Sequence, residues 1–169
     1  MTRKLADTEF TINCGDITIN AIHTNGKNKD FIMLCTMLDN TLDEIVGGKK
    51  QREHYVQFNS IQDINNVVVI YYKDTPIGCG GFKRYSTETA EIKRVFVRKD
   101  FQGKGISKII MSLLENQARN DGYKSLILET GKPLMAAVNL YHKIGFTQID
   151  NYGQYQGLES SICMKKDLV

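Results

Sequence analysis

Residues 95–119 read VFVRKDFQGKGISKIIMSLLENQAR, an apolar strand that passes through a basic, glycine-containing turn into an amphipathic helix. After Val95, Phe96 and Val97 the turn holds Arg98, Lys99, Gly103, Lys104 and Gly105. Ile106, Ile109, Ile110, Leu113 and Leu114 then recur three and four apart, the period of one helix face. A helix over 107–119 that starts in glycines leaves its first-turn N–H groups unpaired. These groups, the positive end of the helix dipole and two nearby cations together favour a bound anion. Glycine also lets backbone approach that anion closely. On spacing alone, an anion cradle and a plain N-terminal turn both stay open.

Upstream, residues 88–97 predict a strand whose apolar positions lose step, because Ile92 and Val95 are three apart. One face of a period-two strand cannot take both without an extra residue, which points to a β-bulge around 93–95. The alternative is a strand buried on both faces, with Phe96 serving the second. Before it, 67–72 and 77–83 flank the turn Lys73-Asp74-Thr75-Pro76 and predict a β-hairpin. Gly78, Gly80 and Gly81 weaken its second strand, through either close packing of another element or edge irregularity. Phe31, Leu34, Cys35, Leu38, Leu42, Ile45 and Val46 predict a helix from Asp30, stopped by Gly47-Gly48. A shorter helix is expected over 51–58, behind the basic run Lys49, Lys50 and Arg52, which reads as solvated surface. Residues 9–22 predict one or two strands broken at Cys14-Gly15-Asp16.

Downstream, Asp121-Gly122-Tyr123 ends the central helix, and 125–130 supply a strand whose continuous Leu126-Ile127-Leu128 suits cover on both faces. Strand, crossover helix and strand fit the roughly 30 residues of a βαβ unit. Pro133 opens a helix through Lys143 with Leu134, Ala137, Val138 and Tyr141 on one face, and Gly145 ends it. Residues 146–149 and 160–165 read as a terminal strand pair joined by a tyrosine-rich loop. No repeat or linker divides the chain. One α+β domain over residues 1–169, built on a mixed sheet, accounts for every segment.

Composition narrows the partners. With 169 residues, 41% hydrophobic and 24% charged, the chain is long enough for a core of its own. A net charge of +3 permits an acidic ligand but gives no concentrated basic stripe for nucleic acid. No apolar run approaches the ~20 residues of a membrane span, and no signal peptide opens the chain. Cys14, Cys35, Cys79 and Cys163 lie far apart and make no ligand spacing with His23, His54 or His142. A reduced, cytoplasmic protein with buried thiols and no metal is expected.

Two phosphate motifs fail. A P-loop needs Ser or Thr after Gly-Lys, but Gly103-Lys104 precedes Gly105 and Gly131-Lys132 precedes Pro133. The dinucleotide fingerprint needs a third glycine where Lys108 stands. The run Gln102-Gly103-Lys104-Gly105-Ile106-Ser107, between a strand and an amphipathic helix, instead resembles the acyl-CoA signature of the GNAT N-acetyltransferase superfamily, Gln/Arg-x-x-Gly-x-Gly/Ala. Gln102 and Gly105 match. Ser107 departs from the final small residue by adding a hydroxyl. Asn139-Leu140-Tyr141-His142-Lys143-Ile144-Gly145-Phe146 resembles the family's second hallmark, Asn-Leu-Tyr-x-x-x-Gly-Phe, and Glu91-Ile92-Lys93-Arg94 and Leu128-Glu129-Thr130-Gly131 look like one of its branches. The likeness covers residues 67–146 well, and 1–66 only by the pattern of elements.

The resemblance implies a mixed, mostly antiparallel sheet flanked by helices, with a bulged, splayed strand pair that binds CoA. Acetyl-CoA would be the co-substrate, its pyrophosphate on the backbone of Gln102, Gly103, Lys104, Gly105, Ile106 and Ser107. Its pantetheine arm would run along Val95, Phe96 and Val97 with Asn139 nearby. Tyr141 is implied as the group that protonates the departing thiolate, although on periodicity alone it reads as a core tyrosine with a satisfied hydroxyl. A phenol near ~10 facing a thiol near ~8.5 gives its proton uphill by about 2 kcal/mol unless its pKa is lowered. The acceptor amine must be neutral to attack, and Glu91 is the candidate base, through water; the alternative is a surface glutamate paired with Lys93 or Arg94. A carboxylate serves as a base only when burial raises its pKa. Asp39, Asp43, Tyr152 and Tyr155 are the candidate acceptor-pocket residues, together with Glu91.

The expectation is a cytoplasmic N-acetyltransferase that moves acetyl directly to a primary amine of a small molecule or amino acid. No nucleic acid or membrane partner is expected, and a homodimer is left open. Its rivals are a CoA-binding sensor without turnover and a protein or peptide N-acetyltransferase.

Overall fold

The structure, a computed structural model, describes residues 8–48, 52–53 and 60–168. Thr8–Cys14 (β1) and Ile17–Thr24 (β2) pair antiparallel about Gly15, where a φ of 63° reverses the chain. Asn28 then starts a helix, its side chain accepting the N–H groups of Asp30 and Phe31 at 2.9 and 3.0 Å. That helix, α1, is Lys29–Ile45, and it buries Phe31, Leu34 and Cys35. Asn66–Tyr72 (β3) and Thr75–Arg84 (β4) form the expected hairpin. Its turn is shorter than the sequence pattern indicates, because Thr75 and Pro76 already pair with Tyr72 and Tyr71. Lys73 absorbs the tighter reversal at φ 53°.

Thr89–Val97 (β5), Ile106–Asn120 (α2) and Ser125–Gly131 (β6) make the crossover unit, with β5 and β6 parallel. Met135–Lys143 (α3) starts two residues beyond Pro133, after a turn closed by the Leu134 N–H on the Gly131 carbonyl at 2.9 Å. Thr147–Ile149 (β7) and Ser161–Asp167 (β8) pair antiparallel as expected. β8 inserts between β6 and β7, so the described residues form an eight-stranded sheet ordered β1-β2-β3-β4-β5-β6-β8-β7. All its pairs except β5/β6 are antiparallel. The result is an α+β architecture with helices on both faces. α1 covers a core of Val67, Val69, Cys79 and Phe96, and α2 covers the opposite core, which includes Ile92 and Leu128. The helix expected over 51–58 lies outside the described residues apart from Arg52 and Glu53.

The bulge in β5 is real, and it decides the site. Cys79 pairs with Phe96 and Gly81 with Lys93, so Arg94 and Val95 together oppose the single residue Gly80. Arg94 takes up the extra residue at φ 61°, a region that side-chain-bearing residues seldom occupy. Ile92, Val95 and Val97 consequently share the α2 side, while Phe96 turns to α1. Both sequence alternatives hold together: the strand is bulged and also buried on its two faces. The β4 glycines serve close packing, since a Cβ on Gly80 would stand 2.8 Å from Ile110 Cγ2 and 3.1 Å from Leu114 Cδ1.

β5 and β6 pair only from Thr89/Ser125 to Glu91/Ile127 and then part. The added twist of the bulge turns β5 away from its parallel neighbour. A wedge opens in the middle of the sheet.

Candidate active site

The glycine turn is braced from below and open above. Arg98 N–H donates to the Ile77 carbonyl at 2.8 Å, Gln102 Nε2 donates to the Val97 carbonyl at 3.1 Å, and Cys14 Sγ donates to the Lys104 carbonyl at 2.8 Å. Gly103 and Gly105 have φ of 77° and 81°, and a Cβ at either would meet no atom within 4 Å. Gly105 is the N-cap of α2 and supplies no side-chain cap. The first-turn N–H groups that follow it are left without a side-chain cap, and a helix start of this kind favours an anion.

From the wedge a cavity of about 540 Å³ extends between β5 and β6. Its walls come from both faces of the sheet. Ile92, Val95, Leu128 and Tyr141 belong to or pack on the α2 core, whereas Leu38, Leu42 and Ile45 are α1 residues. Lys93 and Arg94 reach it from β5, and Glu129 reaches it from β6. A passage through a sheet is what allows one reactant to come from each side.

Tyr141, on α3, lines the cavity and stacks edge-on against Phe146 at 5.8 Å between ring centroids. Burial, and then the nearby Glu129 charge, push its phenol up to about 12. The lowered pKa that would ease full proton transfer is thus the opposite of what this environment produces. Glu91 is 2% exposed and lies outside the cavity lining. It accepts from the Tyr152 hydroxyl at 2.9 Å and faces Lys93 Nζ at 3.7 Å. The surface-glutamate alternative is thereby corrected: the ion pair with Lys93 exists, but it is buried.

The carboxylate that does reach the cavity is Glu129, which spacing gave no reason to single out. Burial pushes its carboxyl above the usual range, against the opposing Ser161 hydroxyl, which donates at 2.8 Å, and the Lys93 charge. Lys93 donates to the Tyr155 hydroxyl at 2.9 Å, and burial pulls its ammonium below the usual range. Tyr155 lines the cavity, while Tyr152 sits behind it on Glu91. Burial raises both phenols.

Asp39 and Asp43 are engaged by arginines. Arg94 Nη1 and Nη2 donate to the two Asp39 oxygens at 3.0 and 2.9 Å, and Arg52 bridges Asp39 and Asp43 at 3.2 and 2.7 Å. Burial would raise the Asp39 carboxyl, but the bonds from Arg94 and Arg52 outweigh it and hold it below the usual range. Arg52, expected on solvated surface, is instead buried by this pairing. Asn139 is exposed on α3 outside the cavity lining, Val95 is within the lining, and Phe96 faces α1. Among the described residues no group of three or more His, Cys, Asp or Glu side chains is placed to hold a metal ion. None of their helices is long and apolar enough to cross a membrane.

Residues 31–146 match the profile of the Acetyltransferase (GNAT) family. An IAA acetyltransferase from Azospirillum brasilense is 34% identical over 96 residues, which are 56% of this chain and 62% of that protein. The uncharacterized N-acetyltransferase YjgM of Escherichia coli is 31% identical over 85 residues, 48% of this chain and 51% of that protein. The chain thus spans less than two thirds of either relative. Among solved structures, an acetyltransferase of GNAT family from Staphylococcus aureus superposes with a TM-score of 0.68 at 16% identity, covering 89% of this chain and 99% of that one. An N-acetyltransferase from Thermoplasma acidophilum in complex with coenzyme A gives 0.67 at 18% identity, covering 88% and 98%. At these identities the two structures speak for the fold.

Proposed function

Because the chain belongs to the GNAT acetyltransferase family, we propose that it transfers acetyl from acetyl-CoA directly to a primary amine of a small molecule. The observation that carries this reading is the cavity through the β5/β6 wedge, with Tyr141 and Glu129 in its walls and the uncapped start of α2 on the same strand's continuation. Acetyl-CoA supplies an activated acyl group as a thioester. The backbone of Gln102 to Ser107 fits its pyrophosphate, since Gly103 and Gly105 leave the face of the turn clear. Val95, on the strand that leads into that turn, lines the cavity.

The residues of the chain divide the proton work. Glu129, raised by burial, takes the proton that the acceptor ammonium must lose. Glu91 is the positioning group beneath it, holding Tyr152 and Lys93 in place. Tyr141 keeps its proton and offers it as a hydrogen bond to sulfur, because a phenol near 12 is too weak an acid to surrender it outright. Direct transfer also agrees with the cysteines: all four are free and buried, and none lines the cavity.

The test is thiol release from acetyl-CoA across a panel of amines, run beside equilibrium binding of CoA. Release with at least one amine is expected, together with a Gly105→Ala variant that binds CoA roughly tenfold more weakly through strain at φ 81°. CoA binding with no release for any amine would favour a sensor over an enzyme. Failure to bind CoA would remove the proposal altogether.

A further inference from the structure

We infer that the acceptor is an apolar monoamine, an alkyl- or arylalkylamine with neither a carboxylate nor a second cation; this rests on the acetyl-transfer reading above. The starting observation is an apolar stripe that the protein does not bury. The helix face that begins at Phe31, Leu34 and Cys35 continues through Leu38, Leu42, Ile45 and Val46. On α1 only the beginning of that face, Phe31, Leu34 and Cys35, is buried. Leu38 is half-buried against the same core, whereas Leu42, Ile45 and Val46 belong to neither core among the described residues. Ile45 is 48% exposed. What Leu38, Leu42, Ile45 and Val46 share is the cavity, which all of them line. A contiguous apolar wall left open at a cavity marks the place of an apolar group of the ligand.

The charges around that wall suit a single amine. Side chains alternate along a strand, so Glu129 faces away from Leu128 and Lys93 away from Ile92. Leu128 and Ile92 belong to the α2 core, which leaves Glu129 and Lys93 on the α1 side, with the apolar wall. Among the described residues Glu129 is the one carboxylate in the lining, and it accepts from the Ser161 hydroxyl at 2.8 Å rather than from a cation. It is free to receive an ammonium.

The cations of the lining are already matched by acids that stand outside it. Arg94 holds both Asp39 oxygens at 3.0 and 2.9 Å, Arg52 bridges Asp39 and Asp43, and Lys93 faces Glu91 at 3.7 Å. A substrate carboxylate finds no unspent positive charge there. A second ammonium would lie beside Arg52, Lys93 and Arg94 with Glu129 already taken, and a charge removed from water without a partner is costly. One amine at Glu129 and an uncharged, apolar remainder along α1 describe the molecule that fits.

The experiment uses matched amines. Propyl-, butyl-, pentyl- and hexylamine share one ammonium and differ only in apolar length. 1,6-Diaminohexane adds a second cation to hexylamine, and L-phenylalanine adds a carboxylate to 2-phenylethylamine. Calorimetric binding to the CoA-loaded protein is read first, then thiol release from acetyl-CoA. Along the series kcat/KM is expected to rise roughly threefold per methylene, as each is covered by the α1 wall. Hexylamine and 2-phenylethylamine should each exceed the charged counterpart by ~10-fold or more. Leu42→Asn, first checked for an intact melting transition, should flatten the chain-length slope, an effect that a general loss of activity would not produce. Ile45→Asn, at a position the core does not use, should do the same. A flat series in wild type, an unchanged slope in both variants, or a diamine or amino acid used as well as its apolar counterpart would overturn the inference, and thiol release in any of these cases would leave acetyl transfer standing. Binding that strengthens with chain length but releases no thiol would uphold the apolar pocket and sink the transferase. Neither binding nor turnover of any of these monoamines would also overturn the inference.

Discussion

Replacing Tyr141 by Phe separates two roles that the same hydroxyl could play. With its phenol pushed to about 12, Tyr141 lies some 3.5 units above a thiol near ~8.5, so complete proton transfer to the leaving sulfur is uphill by about 5 kcal/mol. A hydrogen bond to a charged acceptor has no such penalty and is worth about 1.5–3 kcal/mol. The variant should therefore lose about 10- to 150-fold in kcat, with CoA affinity unchanged. The fold should hardly notice, because the ring keeps its contact with Phe146, and melting should stay within about 2 °C. The assay is thiol release as a function of pH from 6 to 10. Wild type should show no basic limb owed to this phenol, which remains protonated throughout that range. A fall in rate near pH 8–9 that disappears in the Phe variant would mean that Tyr141 ionises there, and the reasoning from burial would be wrong. Equal rates in the two proteins would return Tyr141 to a packing role.

Glu129→Gln should cost roughly 10²-fold in kcat by removing the proton acceptor from the cavity, as measured by thiol release. Its stability moves the other way. A raised folded pKa gives wild type a contribution that is fully present below the unfolded value of 4.5 and lost as pH rises through the folded value. The Gln protein should accordingly melt above wild type at pH 7, and the difference should vanish in acid; a lower melting point at pH 7 would contradict this. Asp39→Asn has the opposite sign: the depressed carboxyl stabilises wild type above 3.8 and ceases to as pH falls through its folded pKa. Thermal melts should show the Asn protein lower by about 3 °C or more at pH 7, converging with wild type once the pH falls below the depressed folded value. Gly80→Ala drives a methyl to within 2.8 Å of the buried Ile110 and should cost about 1–3 kcal/mol in urea unfolding. A neutral result would show that α2 rides loosely on β4.

The chain announced the parts of the site that depend on neighbours in sequence. Ile92 and Val95 three apart on a strand pointed to the extra residue found at Arg94, because pleat alternation is a local rule. Gly103 and Gly105 before an amphipathic run marked the uncapped helix start for the same reason. The strand–helix–strand run from β5 to β6 was legible because two parallel strands need a long connection between them.

What no local pattern carried was direction and company. Glu91 is buried and Glu129 half-buried on neighbouring strands, and only the parting of β5 from β6 beyond Ile127 leaves Glu129 facing the cavity and Glu91 behind it. The insertion of β8 between β6 and β7 brings Ser161 to Glu129 across 32 positions of chain. Arg52 looked like surface because a charge run gives no sign of Asp39 and Asp43 waiting on α1. Tyr141 owes its pKa of about 12 to burial and to Glu129, and both are sums over atoms that lie far away in sequence. Periodicity and turn chemistry therefore established the scaffold and the glycine turn at the start of α2 from the amino-acid order alone. Burial and charge pairing, which exist only once distant segments pack, decided which side chains face the wedge and in what protonation state.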